Sequence, residues 1–160
     1  MEGSMPQLAI ERPPLVTLPV ADSDALFPVR RVYCIGRNYA AHAIEMGHDP
    51  DREDPFFFQK NPDNLSTIGE FPYPPKSSDV HHEAELAVML KSGGRNIPVE
   101  KALDHVYGYA LSLDMTRRDL QGAQKKLGRP WEIGKAFEGS APVGPVHRSS
   151  VVGHPDQGRI

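Results

Sequence analysis

Two glutamates have the residue type and spacing that a cation site needs. Glu83 and Glu85 stand two apart in Asp79-Val-His-His-Glu-Ala-Glu-Leu-Ala-Val-Met-Leu90, where alternating apolar residues predict a β-strand. Side chains two apart in a strand point to the same side, so both carboxylates would face one point on a face that continues apolar. Such carboxylates repel each other and lose hydration unless protons or a cation neutralise them. A hard cation such as Mg²⁺, Mn²⁺ or Ca²⁺ suits oxygen ligands; the alternative is a polar strand edge with two solvated glutamates.

Asp114 is the candidate for a third oxygen ligand. It ends the apolar strand Gly108-Tyr-Ala-Leu-Ser-Leu-Asp114, where the chain turns into a predicted helix. It could serve equally well as the cap of that helix. Three carboxylates with waters would make a Mg²⁺ site with open positions for a chelating substrate.

His42 and Glu45 form a possible acid–base pair. They are three residues apart on a predicted short helix and therefore share a face. Glu45 could hold one tautomer of the imidazole and make His42 a stronger base. A simple surface contact is the alternative.

Several cationic and amide side chains could bind anions or carbonyls. Arg118 and Gln121 are three apart on a predicted helix and would project together. Lys135 lies in Ile133-Gly-Lys-Ala-Phe137, which predicts a lysine inside an apolar strand, a costly position unless the ammonium has a partner. Arg37 is the other candidate, because a guanidinium can bind a carboxylate through two hydrogen bonds.

Short strands alternate with brief helices along the chain. The pattern predicts an extended arm or edge strand over 6–30, because it is rich in proline. It predicts strands over 31–35, 56–60, 79–90 and 106–113, and helices over 38–46, 98–105 and 117–127. Without regular βαβ alternation, this order favours a mixed α+β fold over a doubly wound sheet.

Composition excludes several classes of function. A length of 160 residues suits one domain, and a net charge of −3 with dispersed Lys and Arg gives no electrostatic case for nucleic acid or an anionic membrane. No apolar run could span a bilayer, and no export signal opens the chain. The single cysteine, Cys34, fits a reducing cytoplasm and is expected to be a buried, inert thiol. We therefore expect a cytoplasmic protein.

The motifs together resemble the fumarylacetoacetate hydrolase family. The resemblance covers roughly residues 29 to 148 and rests on motifs that occur in order with suitable spacing: Gly36-Arg-Asn-Tyr-Ala-Ala-His42 with Glu45, Phe56-Phe-Phe-Gln-Lys60, His81-His-Glu-Ala-Glu85, Arg95-Asn-Ile-Pro98, Leu113-Asp-Met-Thr-Arg-Arg-Asp-Leu-Gln121, Gly134-Lys-Ala-Phe137 and Ala141-Pro-Val-Gly-Pro145. The most similar branch is that of the bacterial fumarylpyruvate hydrolases and acylpyruvases.

The resemblance implies a fold and a set of residue roles. The fold would be a mixed β-sheet roll or barrel-like core with short helices, incomplete at the C-terminus. Glu83, Glu85 and Asp114 match the acidic ligands of Mg²⁺ or Mn²⁺. His42 and Glu45 match a water-activating dyad and Lys135 a lysine that stabilises negative charge. The positions that match the substrate-binding residues are Arg37, Tyr39, Arg118 and Gln121.

The implied activity is hydrolysis of a carbon–carbon bond in 1,3-diketo acids during aromatic catabolism. Fumarylpyruvate or another acylpyruvate would give pyruvate and a carboxylic acid, and the protein would be a homodimer. The same metal site could run decarboxylation or keto–enol isomerisation of a short oxo-diacid. A catalytically inactive metal-binding or oligomerising remnant is the rival hypothesis.

The expected division of the chain has three parts. Residues 1–5 resemble a cloning remnant, 6–30 form the N-terminal arm, and 31–160 form a truncated fumarylacetoacetate hydrolase-like catalytic domain. The expected truncation follows from family members that continue beyond Ile160 with further core strands.

Overall fold

The computed structural model describes residues 7–36 and 56–158. Within these ranges short strands form five small sheets, and none of them closes into a barrel. The strands are β1 (Thr17–Pro19), β2 (Leu26–Pro28), β3 (Val32–Gly36), β4 (Phe56–Lys60), β5 (Leu65–Ser66), β6 (Val80–His81), β7 (Ala84–Leu90), β8 (Val106–Leu113), β9 (Thr116–Arg117), β10 (Ala141–Pro142) and β11 (His147–Arg148). The helices are α1 (Arg118–Lys126), α2 (Glu132–Lys135) and α3 (Ser149–Val152), with 3₁₀ turns at Pro62–Asn64 and Val99–His105.

The largest sheet is antiparallel and has the order β11-β8-β7. Strands β7 and β8 pair from Ala84 opposite Leu113 to Leu90 opposite Val106, with an irregularity near Leu90. Alternation puts Met89 on the buried face, whereas Val88 is 50% exposed. The β7–β8 ribbon therefore has one face toward the core.

An apolar core covers that inner face. Its buried members are Leu18, Val20, Met89, Ala110, Val143 and Val146. Leu18 and Val20 come from the N-terminal segment, where β1 and β2 pair as an antiparallel hairpin. A parallel bridge from Val20 to Val146 joins this hairpin to the later part of the chain. Segments distant in sequence thus hold the β7–β8 ribbon in place.

The other sheets bring further segments to the ribbon's far end. Strand β3 pairs antiparallel with β4 over its whole length, from Val32 opposite Lys60 to Gly36 opposite Phe56. Strand β6 pairs with β9, which leads directly into α1. The ends of β4, β7, β8 and α1 carry the polar residues described below.

The mixed architecture with short helices is confirmed, and several local predictions need correction. The barrel-like core does not form among the described residues, because their strands are short and divide into separate sheets. The strand predicted over 79–90 is interrupted between His81 and Ala84, so Glu83 precedes β7 and does not lie within it. Lys135 ends the single-turn helix α2 and is not in a strand, and the segment after Pro98 is a 3₁₀ helix.

Some predictions concern residues outside the described ranges. The helix predicted over 38–46 lies there, as do Arg37, Tyr39, His42 and Glu45. In the part of the chain that is described, no helix has the length and apolarity that crossing a membrane requires.

Candidate active site

The β7–β8 ribbon places two carboxylates side by side at one end. Asp114 directly follows β8, and its backbone N–H donates to the carbonyl oxygen of Glu83 at 2.8 Å. Asp114 is 7% exposed, whereas the side chain of Glu83 is 30% exposed. Antiparallel pairing therefore joins two acidic residues that are 31 positions apart in sequence. Glu85 is half-buried on β7, opposite Ser112.

Lys135 lies between these two carboxylates. Its Nζ is 2.6 Å from Glu83 Oε2 and 2.7 Å from Asp114 Oδ2, and its side chain is 3% exposed. A lysine this deeply buried needs anionic partners, because transfer of an unpaired ammonium out of water is costly. The sequence predicted that Lys135 needs a partner for its charge. Glu83 and Asp114 are those partners.

Close packing of α2 against α1 sets the position of Lys135. A Cβ added at Gly134 would come within 2.7–2.9 Å of Gln121 atoms, including the backbone nitrogen. The backbone N–H groups of Gly134 and Lys135 both donate to the carbonyl of Trp131, at 2.8 and 2.9 Å. The Trp131 ring packs edge-on against Phe56, with centroids 5.2 Å apart. Glycine is the residue type that permits this approach of the two helices.

Arg118 lies on the exposed side of the cluster. Its Nη2 contacts Glu83 Oε1, its Nη1 donates to Gln121 Oε1 at 3.2 Å, and its Nε lies 3.4 Å from His81 Nδ1. The predicted joint projection of Arg118 and Gln121 is confirmed. Burial alone would raise the pKa of Glu83, but the ion pairs with Lys135 and Arg118 outweigh it and hold that pKa below its usual range.

Lys60 is a second buried lysine, and its sequence context predicted no role in the site for it. It ends β4, is 4% exposed, and its Nζ lies 3.0 Å from Asp114 Oδ1. The ammonium also contacts the carbonyl oxygen of Lys135 and lies 3.1 Å from Ser140 Oγ. Burial lowers the pKa of Lys60, an effect that Asp114 partly offsets. The position of Lys60 at the end of the run Phe56-Phe-Phe-Gln was the sequence feature that could have indicated its burial. Lysines at strand ends, however, are usually solvated.

Cys34 lies on β3, near this cluster. Burial, reinforced by the charge of Asp114, raises the pKa of the Cys34 thiol to about 11. The thiol therefore stays protonated at neutral pH, as expected for an unreactive cysteine.

The donors at the ribbon's end suit a hard cation. Asp114 Oδ1 is buried, and the contact that the described residues make with it is the ion pair with the Lys60 ammonium at 3.0 Å. A buried carboxylate oxygen of this kind is a ligand that Mg²⁺ or Mn²⁺ prefers. Lys135 shows that Glu83 and Asp114 can share one cation. In residues 7–36 and 56–158, however, no three His, Cys, Asp or Glu side chains form a cluster that could hold a metal ion. The triad with Glu85 stays a prediction.

Comparisons with known proteins find similar sequences and structures over most of the chain. A family model described as fumarylacetoacetate (FAA) hydrolase C-terminal matches residues 31–160. Among solved structures, fumarylpyruvate hydrolase from Pseudomonas aeruginosa in complex with Mn²⁺ and pyruvate is 53% identical, with a TM-score of 0.87 over 93% of this chain and 66% of that chain.

Curated relatives carry other activities in their names. The mitochondrial oxaloacetate decarboxylase of Dictyostelium discoideum is 41% identical over 71% of this chain and 53% of its own length. An oxaloacetate tautomerase of Escherichia coli is 41% identical over 73% of this chain and 53% of its own length. The chain thus spans about half the length of these curated relatives.

Proposed function

Because the chain belongs to the fumarylacetoacetate hydrolase family, we propose that it is a metal-dependent hydrolase of acylpyruvates. Fumarylpyruvate is the favoured substrate, with pyruvate and fumarate as products. The observation that carries the proposal is the cluster in which Glu83 and Asp114 share one buried cation, the Lys135 ammonium. The 53% identity to a fumarylpyruvate hydrolase that binds Mn²⁺ and pyruvate supports the choice of substrate.

Glu83, Glu85 and Asp114 are the residues proposed to hold the metal, Mg²⁺ or Mn²⁺, with Ca²⁺ as a third option. When bound, such a metal would act as a Lewis acid toward negative charge on the oxo-acid oxygens. The buried Oδ1 of Asp114, which already lies 3.0 Å from the Lys60 ammonium, is the oxygen whose environment favours this assignment most directly.

The cationic side chains have separate roles in the proposed reaction. The Lys135 ammonium is buried, so it would stabilise negative charge on the leaving pyruvate enolate more strongly than a solvated ammonium could. Arg118 and Gln121 are joined at 3.2 Å and would bind a substrate carboxylate through the guanidinium. Arg37 and Tyr39 are the other proposed substrate-binding residues.

Proton transfer is assigned to His42 and Glu45. His42, oriented by Glu45, would take a proton from water while the water oxygen bonds to the distal acyl carbon. The bond between that carbon and the methylene of the pyruvate portion then breaks. Its electron pair forms the enolate, which takes up a proton and leaves as pyruvate.

Decarboxylation or tautomerisation of oxaloacetate is the second candidate. The observation that favours it is the 41% identity to an oxaloacetate decarboxylase and to an oxaloacetate tautomerase. Oxaloacetate has the same 2-oxo acid group, so the same cationic residues could stabilise its enolate.

The test is turnover of fumarylpyruvate and oxaloacetate by the chain, with Mg²⁺ or Mn²⁺ and after EDTA treatment. We expect metal-dependent loss of fumarylpyruvate, and a fall in kcat/KM of about 10²–10³-fold in Lys135→Met, because a buried donor to developing charge is removed. Lys126→Met, at an exposed position late in α1, is the matched control and should keep the parental rate.

The two candidates give different product patterns. Faster turnover of oxaloacetate than of fumarylpyruvate would favour the second candidate. Turnover that persists after EDTA treatment would contradict the metal dependence. Loss of both substrates at no more than the protein-free rate would contradict both candidates and favour an inactive remnant.

A further inference from the structure

The ammonium of Lys60 is surrounded by oxygen atoms of four residues from two other segments of the chain, 114–115 and 135–140. Its Nζ lies 3.0 Å from Asp114 Oδ1, 3.4 Å from the Met115 carbonyl and 3.1 Å from Ser140 Oγ, and it also contacts the Lys135 carbonyl. Ser140 Oγ in turn donates to that same Lys135 carbonyl at 3.1 Å. Lys60 thus joins the end of β4 to the two segments that carry Asp114 and Lys135.

These contacts constrain the orientation of Asp114. Lys135 Nζ donates to Oδ2 at 2.7 Å, while Lys60 Nζ lies beside Oδ1 at 3.0 Å. With one ammonium at each oxygen, rotation of the carboxylate about χ2 would separate at least one pair of opposite charges. The buried ion pair with Lys60 therefore restrains Oδ1 from the side of β4.

The contact with the Lys135 carbonyl acts on the main chain of α2. That carbonyl belongs to the last residue of a single-turn helix, where intrahelical partners for C=O groups are missing. The Lys60 ammonium and the Ser140 hydroxyl satisfy it. The backbone that carries the Lys135 side chain is therefore fixed from β4.

We propose that Lys60 is a positioning residue, which orients the Asp114 carboxylate and the Lys135-bearing turn for divalent-cation binding and turnover. This inference rests on the proposed function for its catalytic consequence. Removal of groups that orient metal ligands typically costs 10–100-fold in metal affinity or activity.

The first test compares Mn²⁺ affinity in the parent, Lys60→Met and Lys101→Met, measured by titration of the full chain. Lys101 is the matched control, because it is 66% exposed and its only described ion pair is a 3.6 Å contact with Asp104. We expect Mn²⁺ binding to weaken about 10–100-fold in Lys60→Met and to stay within about twofold of the parent in Lys101→Met.

Two further variants keep the test decisive if Lys60→Met folds poorly. Ser140→Ala removes one contact of the ammonium without leaving a charge unpaired, and should weaken Mn²⁺ binding in the same direction by a smaller factor. Lys60→Arg keeps the charge and should recover part of the lost affinity. Urea unfolding of each variant separates lost stability from lost binding.

The outcomes distinguish this inference from the proposed function. Parental Mn²⁺ affinity in folded Lys60→Met, with only its unfolding midpoint lowered, would show a purely structural lysine and overturn the inference. A parent that binds Mn²⁺ but turns over no acylpyruvate would overturn the proposed function alone. Weakened Mn²⁺ binding in Lys60→Met supports positioning in either case.

Discussion

Met89, near one end of the β7–β8 ribbon, and Ala110, midway along it, pack with Leu18 and Val146 in an apolar core. Glu83 and Asp114 lie at the opposite end, where Lys135 and Lys60 bring two ammonium groups into contact with them. The same pair of strands thus supports apolar packing at one end and a cluster of buried charges at the other.

The two ends contribute differently to the free energy of unfolding. Burial of apolar surface stabilises the fold directly, at about 25 cal/mol per Å². Buried ion pairs lose hydration that their mutual attraction only partly recovers, so they are weak evidence of stability. The comparison indicates that the apolar end holds the ribbon, whereas the charged end, which is weak evidence of stability, is the part for which binding and chemistry are proposed.

The largest expected effect on stability is at the apolar end. Leu18→Ala should lower the free energy of unfolding by about 2–5 kcal/mol, because it leaves a cavity at a side chain only 2% exposed. Leu26→Ala, in the same hairpin but 60% exposed, is the matched control and should change it by less than about 0.5 kcal/mol. Urea unfolding measures both values.

Enzyme kinetics of Leu18→Ala, measured at urea concentrations below its unfolding transition, complete this test. If the apolar end only supports the ribbon, folded Leu18→Ala should keep a kcat/KM close to that of the parent. A large loss of kcat/KM in the folded variant would show that the two ends are coupled.

Gly134→Ala is expected to have a smaller effect, a loss of activity that arises at the charged end. The new Cβ would meet backbone atoms of Gln121 at 2.8–2.9 Å, so α2 must shift and carry Lys135 with it. A displacement of about 1 Å can cost on the order of 10²-fold in kcat. Steady-state kinetics with fumarylpyruvate provides the measurement.

Gly122→Ala is the matched control on the facing helix. No atom lies within 4 Å of a Cβ added at Gly122, so alanine should be neutral or stabilise α1 by up to about 1 kcal/mol. Equal activity in the two alanine variants would refute the role of close helix packing in positioning Lys135.

The smallest effect is expected at Asp119, beside the charged end. Hydrogen bonds from Ser77 Oγ and the Ser78 backbone lower the pKa of Asp119 below 3.8. A depressed native pKa stabilises the fold above the unfolded-state pKa, and this contribution disappears as pH falls through the native pKa. Asp119→Asn should therefore lower the unfolding midpoint slightly at pH 7.

The pH dependence of the free energy of unfolding distinguishes the contribution of the ionised Asp119 carboxylate from a loss of contacts that would not depend on pH. The difference between the parent and Asp119→Asn should narrow as the pH falls below about 3.8, measured by urea unfolding across the acid range. Ser77→Ala, which removes one hydrogen bond to Asp119, should show part of the same pH-dependent difference from the parent. A difference that stays constant down to pH 2 would contradict the assigned cause.

Sequence patterns located the longest of the regular elements. The apolar run over 106–113 predicted β8 with the observed bounds, and the helix predicted over 117–127 corresponds to Arg118–Lys126. These segments carry strong local periodicity, so their structure depends little on distant contacts. The segment around Lys135 was misassigned, because Ile133, Ala136 and Phe137 suggest a strand by composition although Ile133 is 52% exposed.

The charged cluster could be predicted in part. Glu83, Asp114 and Lys135 were recognised as chemical groups, since their types and flanking residues are unusual in apolar segments. That Lys135 lies between the two carboxylates could not be predicted, because it depends on how α2 packs against α1. Lys60 was missed for the same reason: only the packing of β4 shows that its ammonium is buried.

The sequence by itself determined the inventory of acidic and cationic groups, the strong local elements and the family resemblance. These follow from residue type, short-range periodicity and motif order, which need no knowledge of distant contacts. Tertiary structure alone decided which of these acidic and cationic groups lie in contact with one another. Desolvation and ion pairing act through space, so strand pairing and helix packing determine whether a lysine is solvated or buried between carboxylates.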